Sequence, residues 1–189
     1  MSLDILPYPL HLTDGVVRLR ASRATDAMAL ADAVRESTET VGRWQDWCHA
    51  AYDTASAHAW IEASRKAWLL GEACEMLIVD AATDLPLGAM GVNRIDREQR
   101  MANLGYWVRQ SAQRRGVASR AARLAIRFAF ESVRVARLEV VAAHDNIPSR
   151  RTAERIGATF EGMLRNRLIV GGSSVSAAMY SLLPEDVVA

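Results

Sequence analysis

Apolar residues recur along the chain with two different periods, and the switches between them outline its strands and helices. Positions 16–20 alternate apolar and basic residues, the pattern of a half-buried strand. Ala27, Leu30, Ala31 and Val34 then repeat at helical spacing, with Ser22 or Thr25 placed to cap the helix. Residues 54–70 form a second helical pattern, with Ala57, Trp60, Ile61 and Trp68 inward and Gly71 just past its end. The period then shortens. Residues 76–79, 87–92 and 102–108 are short apolar strands separated by polar turns, which predicts an antiparallel meander.

The spacing of Val117, Ala121, Leu124, Ala125 and Phe128 predicts a helix over 117–130. A buried strand over 138–143 follows, then a helix opened by Pro148 and ended by Gly157. Residues 158–170 and 174–183 read as two strands joined at Gly171 and Gly172, a hairpin signal. The order is that of a mixed α+β fold: a single domain with a largely antiparallel central sheet flanked by helices. No repeat, low-complexity tract or linker divides the 189 residues.

Composition narrows the function classes. With 50% apolar and 24% charged residues the chain can bury a core, which excludes a disordered or disulfide-stapled scaffold. Lys and Arg number 23 against 22 Asp and Glu, so no global field argues for nucleic acid or an anionic membrane. Cys48 and Cys74 stand apart from any CxxC or Cys/His cluster, so they read as small core residues in a reduced setting and no metal is expected. Residues 1–10 lack a basic leader and are broken by Pro7 and Pro9, a poor secretory signal. No apolar run approaches the roughly 20 residues that span a bilayer. A cytoplasmic protein is expected.

The most informative segment is Gln113, Arg114, Arg115, Gly116, Val117 and Ala118, set between a strand and an amphipathic helix. Gly116 allows close backbone approach, and the first helical turn offers unpaired N–H groups with the positive end of the helix dipole. The segment is either an anion site or a turn with solvated arginines. It is neither a P-loop nor a Rossmann fingerprint, because GxxxxGK[ST] and GxGxxG are both absent.

Further motifs stand in a fixed order around it: Gly105, Tyr106, Trp107 and Val108; residues 113–118; Asn146 with Ser149; Gly157 with Phe160, Glu161 and Gly162; and Tyr180 with Leu183. Together, over roughly residues 10–185, they make the chain resemble the GNAT superfamily of N-acetyltransferases. The resemblance is to the branch of RimJ- and RimL-type ribosomal-protein N-terminal acetyltransferases. It implies acetyl-CoA as cosubstrate. Tyr106, Trp107 and Val108 would receive the pantetheine arm on a splayed strand, and residues 113–118 would hold the pyrophosphate. Asn146 would bond the pantetheine region, and Ser149 would stand near the sulfur. It also implies direct transfer to an amine without an acyl-enzyme, and a homodimer.

Two departures from that branch concern proton transfer. Where many members carry a carboxylate two residues before the Gly-Tyr dipeptide, this chain has Asn103, which can contact the acceptor but cannot take its proton. The base would then be water, His144, Glu98 or Asp46. Where many GNAT enzymes have a tyrosine general acid, this chain has Ala153, leaving Ser149. His144 either carries protons at a strand end or belongs to a polar turn in which Asp145 or Asn146 caps the next helix. Trp44 and Trp47 either touch the acceptor or pack onto the core. The basic face of Arg120, Arg123 and Arg127 meets either RNA or the 3′-phosphate of CoA. The acceptor class is a protein or peptide N-terminus, with a ribosomal protein among its candidates; the alternatives are a small amine, an amino acid or an antibiotic. A non-catalytic CoA-binding module is the rival from another class.

Overall fold

Residues 74–80 form a nearly continuous apolar run, and a strand of that kind must be covered on both faces. The computed structural model describes residues 11–187 and supplies both covers; the leader reading of residues 1–10 lies outside the described residues. The elements are β1 (His11–Thr13), β2 (Val17–Arg20), α1 (Ala27–Glu36), α2 (Thr54–Leu70), β3 (Cys74–Asp80), β4 (Pro86–Asp96), β5 (Met101–Val108), α3 (Val117–Phe128), β6 (Arg137–Ala143), α4 (Ile147–Arg155), β7 (Thr159–Val170) and β8 (Ser173–Leu182). The strands make one sheet in the order β1-β2-β3-β4-β5-β6-β8-β7, with β5 and β6 parallel and every other neighbouring pair antiparallel. The meander is β3-β4-β5. The fold is the mixed α+β one that the element order predicts.

Alternating side chains separate two cores. Cys74, Met76, Ile78, Met90, Val92 and Leu104 pack with Leu124 and Phe128 of α3 and Ala153 of α4. Leu77, Val79 and Ala89 pack on the other face with Leu30 and Val34 of α1 and Ala57 and Ile61 of α2. Cys74 and Cys48 are free and buried, one in each core.

The α2 helix runs as predicted, because strong signals stand at both ends. The Asp53 carboxylate accepts from Ser56 N at 2.8 Å, and Gly71 closes the helix at φ 69°. Other local expectations are corrected. Neither Ser22 nor Thr25 caps α1; a 3-10 turn over Ala24–Asp26 precedes it, and the Asp26 carboxylate accepts from Arg23 N at 2.6 Å and from both terminal nitrogens of the buried Arg20. On α2, Trp60 packs on the inner face as predicted, though only half-buried, and Ser64 is inside as well. The α3 helix stops at Phe128 and passes into a π-helical turn over Ala129–Val133.

The C-terminal end of α1 fastens the chain that leaves β5. Glu36 pairs with Arg109 and its Oε1 accepts from Ser111 N at 2.6 Å, while Ser37 Oγ accepts from Gln110 N at 3.1 Å. The Arg109 guanidinium holds the Glu36 carboxyl down, from an ordinary 4.5 to about 2. A carboxyl depressed by folding stabilises the fold fully above its unfolded value and stops doing so as pH falls through its folded one. Glu36→Gln should therefore cost about 1–2 kcal/mol at neutral pH. The gap should close as pH drops from 4.5 towards 2. Urea-unfolding midpoints of both proteins across that range check this, and a gap independent of pH would contradict it.

Candidate active site

The parallel pair β5–β6 is short. It holds from Met101 opposite Arg137 to Asn103 opposite Glu139, and then the strands part. Beyond that point β5 stays on β4 as far as Val108, and β6 stays on β8 as far as Ala143. A wedge therefore opens between two strand edges. Gly88 helps to open it: a Cβ there would overlap the Trp107 carbonyl, so its absence lets β4 draw β5 in where β6 has left. Strand edges carry N–H and C=O groups that need partners, which suits the wedge to an extended ligand with amides of its own.

Two helix starts bound the wedge. Gly116, at φ 77°, precedes α3, and no side chain caps that helix. The N–H groups of its first turn consequently face outward with the dipole behind them. Arg114 and Arg115 are exposed beside it. The Gln113 side chain turns inward instead, donating to Val108 O at 2.9 Å and Thr40 Oγ1 at 3.1 Å, so it fixes the loop. Val117 is buried in the core and Ala118 packs against it. Arg120, Arg123 and Arg127 line a cleft of about 390 Å³ that begins at Gly116 and gains Arg155 from α4.

At the other helix start, Asn146 caps α4, its Oδ1 accepting from Ser149 N at 3.2 Å. Ser149 Oγ lies 3.2 Å from the Tyr106 hydroxyl, which also donates to the Ser149 carbonyl at 3.1 Å. Burial pushes the Tyr106 hydroxyl up to about 12, against the pull of the Ser149 bond. It stays protonated at neutral pH, and its single proton lies between the Ser149 carbonyl and Oγ, which leaves the Ser149 hydroxyl as the donor available at the wedge. The same start holds Asn146, Ser149 and Tyr106 together. His144 stands outside this group, with an exposed imidazole 3.6 Å from Asp145 on the turn leaving β6.

The other phase of β5 carries Asn103, Gly105 and Trp107, which turn towards the α1 and α2 face. Trp47 meets Trp107 edge-on at 5.5 Å and Tyr52 at 6.4 Å. Trp44 lies under the Arg43 guanidinium at 5.6 Å. Their segment is tied to the β7–β8 turn by Asp46, which accepts from Gly171 N at 3.0 Å. Asn103 Nδ2 donates to Asn93 Oδ1 at 2.9 Å, and Asn93 Nδ2 donates to Glu75 Oε1 at 3.0 Å. Glu98 stands on the β4–β5 turn, beside Gly71, Arg94 and Arg97. Glu75 and Asn93 each lie one residue outside the apolar runs 76–79 and 87–92 that predict their strands. The alternation of Glu75 with Leu77 and Val79 is the signal that would have placed Glu75 on this face.

No helix among the described residues is long and apolar enough to cross a membrane, and they hold no group of three or more His, Cys, Asp or Glu that could hold a metal ion.

The chain is similar to known proteins over nearly its whole length. A relative from Bacillus subtilis (strain 168), provisionally named ribosomal N-acetyltransferase YdaF, is 28% identical over 175 residues, covering 90% of this chain and 92% of its own. A Vibrio cholerae structure, provisionally described as a ribosomal-protein-serine acetyltransferase, matches at 30% identity and a TM-score of 0.82, over 97% of this chain and 100% of its own. RimJ of Mycobacterium smegmatis, solved in complex with CoA-disulfide, shares the fold with a TM-score of 0.87 at 22% identity, over 95% of this chain and 90% of its own. The model of the acetyltransferase (GNAT) domain matches residues 17–159, a span that takes in the wedge and both helix starts, and the chain belongs to the GNAT acetyltransferase family.

Proposed function

We propose that the chain moves the acetyl group of acetyl-CoA to a primary amine, the acceptor being the N-terminus of a ribosomal protein. One observation carries the reading: the β5–β6 wedge opens beside the uncapped start of α3. Main-chain groups for an amide-bearing arm thus adjoin backbone donors for a pyrophosphate. Those groups follow one another in the same order along CoA. The arginine cleft extending from Gly116 suits the remaining 3′-phosphate.

Acetyl-CoA supplies an activated acetyl group and a thiol leaving group. The chain supplies position and donors. Main chain from Tyr106 to Val108 holds the arm and offers an N–H where negative charge gathers on the thioester oxygen. Asn146 spends its Oδ1 on the helix cap, and its Nδ2 donates to the arm. Ser149, backed by Tyr106, donates to sulfur as the C–S bond breaks. The acceptor enters from the Trp47 and Trp107 side, since α3 and α4 cover the other face. A protein acceptor is supported by the relatives provisionally named for ribosomal proteins and by Trp47, exposed at the edge of that face. Such an acceptor puts the enzyme in the cytoplasm.

Free-thiol release from acetyl-CoA tests the function. The panel sets peptides with free N-termini of ribosomal proteins against small amines, amino acids and amine antibiotics. Turnover of a peptide is expected, and turnover of small amines alone would contradict the assignment of the acceptor.

Two variants test the site. Both Gly116→Ala and Gly116→Glu strain the positive φ, but only the second sets a carboxylate before the helix start. Acetyl-CoA should bind Gly116→Glu at least tenfold more weakly than Gly116→Ala, about 1.4 kcal/mol. Equal affinities by calorimetry would remove the loop from the phosphate site. Ser149→Ala should lower kcat by about 10²-fold and change KM for acetyl-CoA less. A variant with a reduced Tm and a kcat within twofold would leave Ser149 only its place in the helix start.

A further inference from the structure

The acceptor side of the sheet contains a carboxylate that the reading above leaves unused. Glu75 shares its face of β3 with Leu77 and Val79, and it crosses β4 over Gly91, where a Cβ would overlap its carboxylate. Gly91 is paired with Gly105 of β5, the residue before Tyr106. The space that side chains would take at the two glycines is filled by the Glu75 carboxylate over Gly91 and by the Asn93 and Asn103 amides over Gly105. One hydrogen-bonded row runs there, from Asn103 through Asn93 to Glu75, and ends on Glu75 Oε1. The row begins at Asn103, where the β5–β6 pairing stops.

We propose that Glu75 binds the acceptor ammonium and takes its proton. The proposal rests on the acceptor being an amine. Oε1 is held by Asn93, which aims the carboxylate, and Oε2 lies over Gly91. An amine entering past Trp47 and Trp107 meets this row before it reaches the wedge. One N–H proton passes to Glu75 and on to solvent. The freed lone pair then forms the C–N bond as the C–S bond breaks. The second N–H proton is lost to water, and the sulfur is protonated from Ser149, which solvent replenishes. A base suited to this task must not be too weak near neutrality, and burial raises the Glu75 carboxyl against the pull of the Asn93 bond.

The charged groups around Glu75 do not neutralise it. On its own strand Cys74 points to the opposite core, its thiol pushed by burial up to about 12, and Arg97 from the β4–β5 turn acts on that thiol. From β2, Arg20 is paired with Asp26 and Asp84. On α1, Asp32 and Arg35 are exposed and Glu36 is paired with Arg109; on α2, His58, Glu62, Arg65 and Lys66 are exposed. β4 and β5 present Asn93 and Asn103, and Arg94 is exposed.

Glu75→Gln tests this, because the amide oxygen still accepts from Asn93 while proton uptake is lost. With the best amine of the panel, kcat/KM at pH 7 should fall about 10²-fold or more. The variant's activity should go on climbing with pH until the amine itself deprotonates, while wild type levels off earlier, and acetyl-CoA affinity and Tm should hold. Adding Asn103→Glu returns a carboxylate to the other end of the row and should recover at least tenfold. A Glu75→Gln enzyme within threefold of wild type, or one with a wild-type pH profile, overturns the proposal. So does a double variant that folds and shows no recovery; if the single variant does not fold, the double variant is compared with wild type, and a folded double variant about 10²-fold or more below wild type overturns the proposal. If wild type turns over no amine, the proposed function fails and binding decides this inference alone. Quenching of tryptophan fluorescence by propylammonium, with CoA present, should then be at least tenfold weaker in Glu75→Gln, and equal quenching overturns it.

Discussion

The early end of the β5–β6 ladder is the constraint on which the rest of the site depends. Three paired positions fix the two strands, and past Asn103 each follows its outer neighbour instead. Main-chain hydrogen-bonding capacity that a continuous sheet would use internally is thereby presented to a ligand. The cost of leaving strand edges apart is offset on the outer sides, where β5 lies close over Gly88 of β4 and β8 pairs with β6 from Leu138 to Ala143. α1 reinforces the arrangement from a distance, since Glu36 and Ser37 hold the turn that carries the chain from β5 to α3.

Alternation along β5 then divides the work. Tyr106 faces α4, where it meets Ser149, and its neighbours Gly105 and Trp107 face the opposite side. A donor bound along the α3 and α4 side and an acceptor entering from the Trp47 side would meet at one strand, each on its own face. The proposed proton chemistry would divide in the same way, with the Ser149 hydroxyl on the sulfur side and the half-buried Glu75 carboxylate on the amine side.

Much of this was legible in the residues. The α2 helix has both end signals, Asp53 and Gly71, and the β3-β4-β5 meander follows from three short apolar runs with polar turns. The start of α3 was visible in Gly116, which the structure places in the left-handed region before a helix that no side chain caps. What the sequence hides is non-local. The parting of two strands depends on sheet pairing; periodicity at residues 103–108 reads as a plain strand, and only the family resemblance of residues 105–108 implies a splayed one. The Tyr106–Ser149 bond joins residues 43 positions apart. Glu75 is hidden for a simpler reason: the unbroken apolar run begins one residue after it, at Met76. The π-helical turn after Phe128 continues a pattern that periodicity alone reads as plain α-helix.

The most direct test of the central claim is amide hydrogen exchange on the whole chain, with and without CoA. The account predicts new protection in β5 between Leu104 and Val108 and in the first turn of α3, with β3 and α2 unchanged. CoA binding that leaves β5 exchanging at its former rate would contradict it, because the wedge would then not be where the ligand lies.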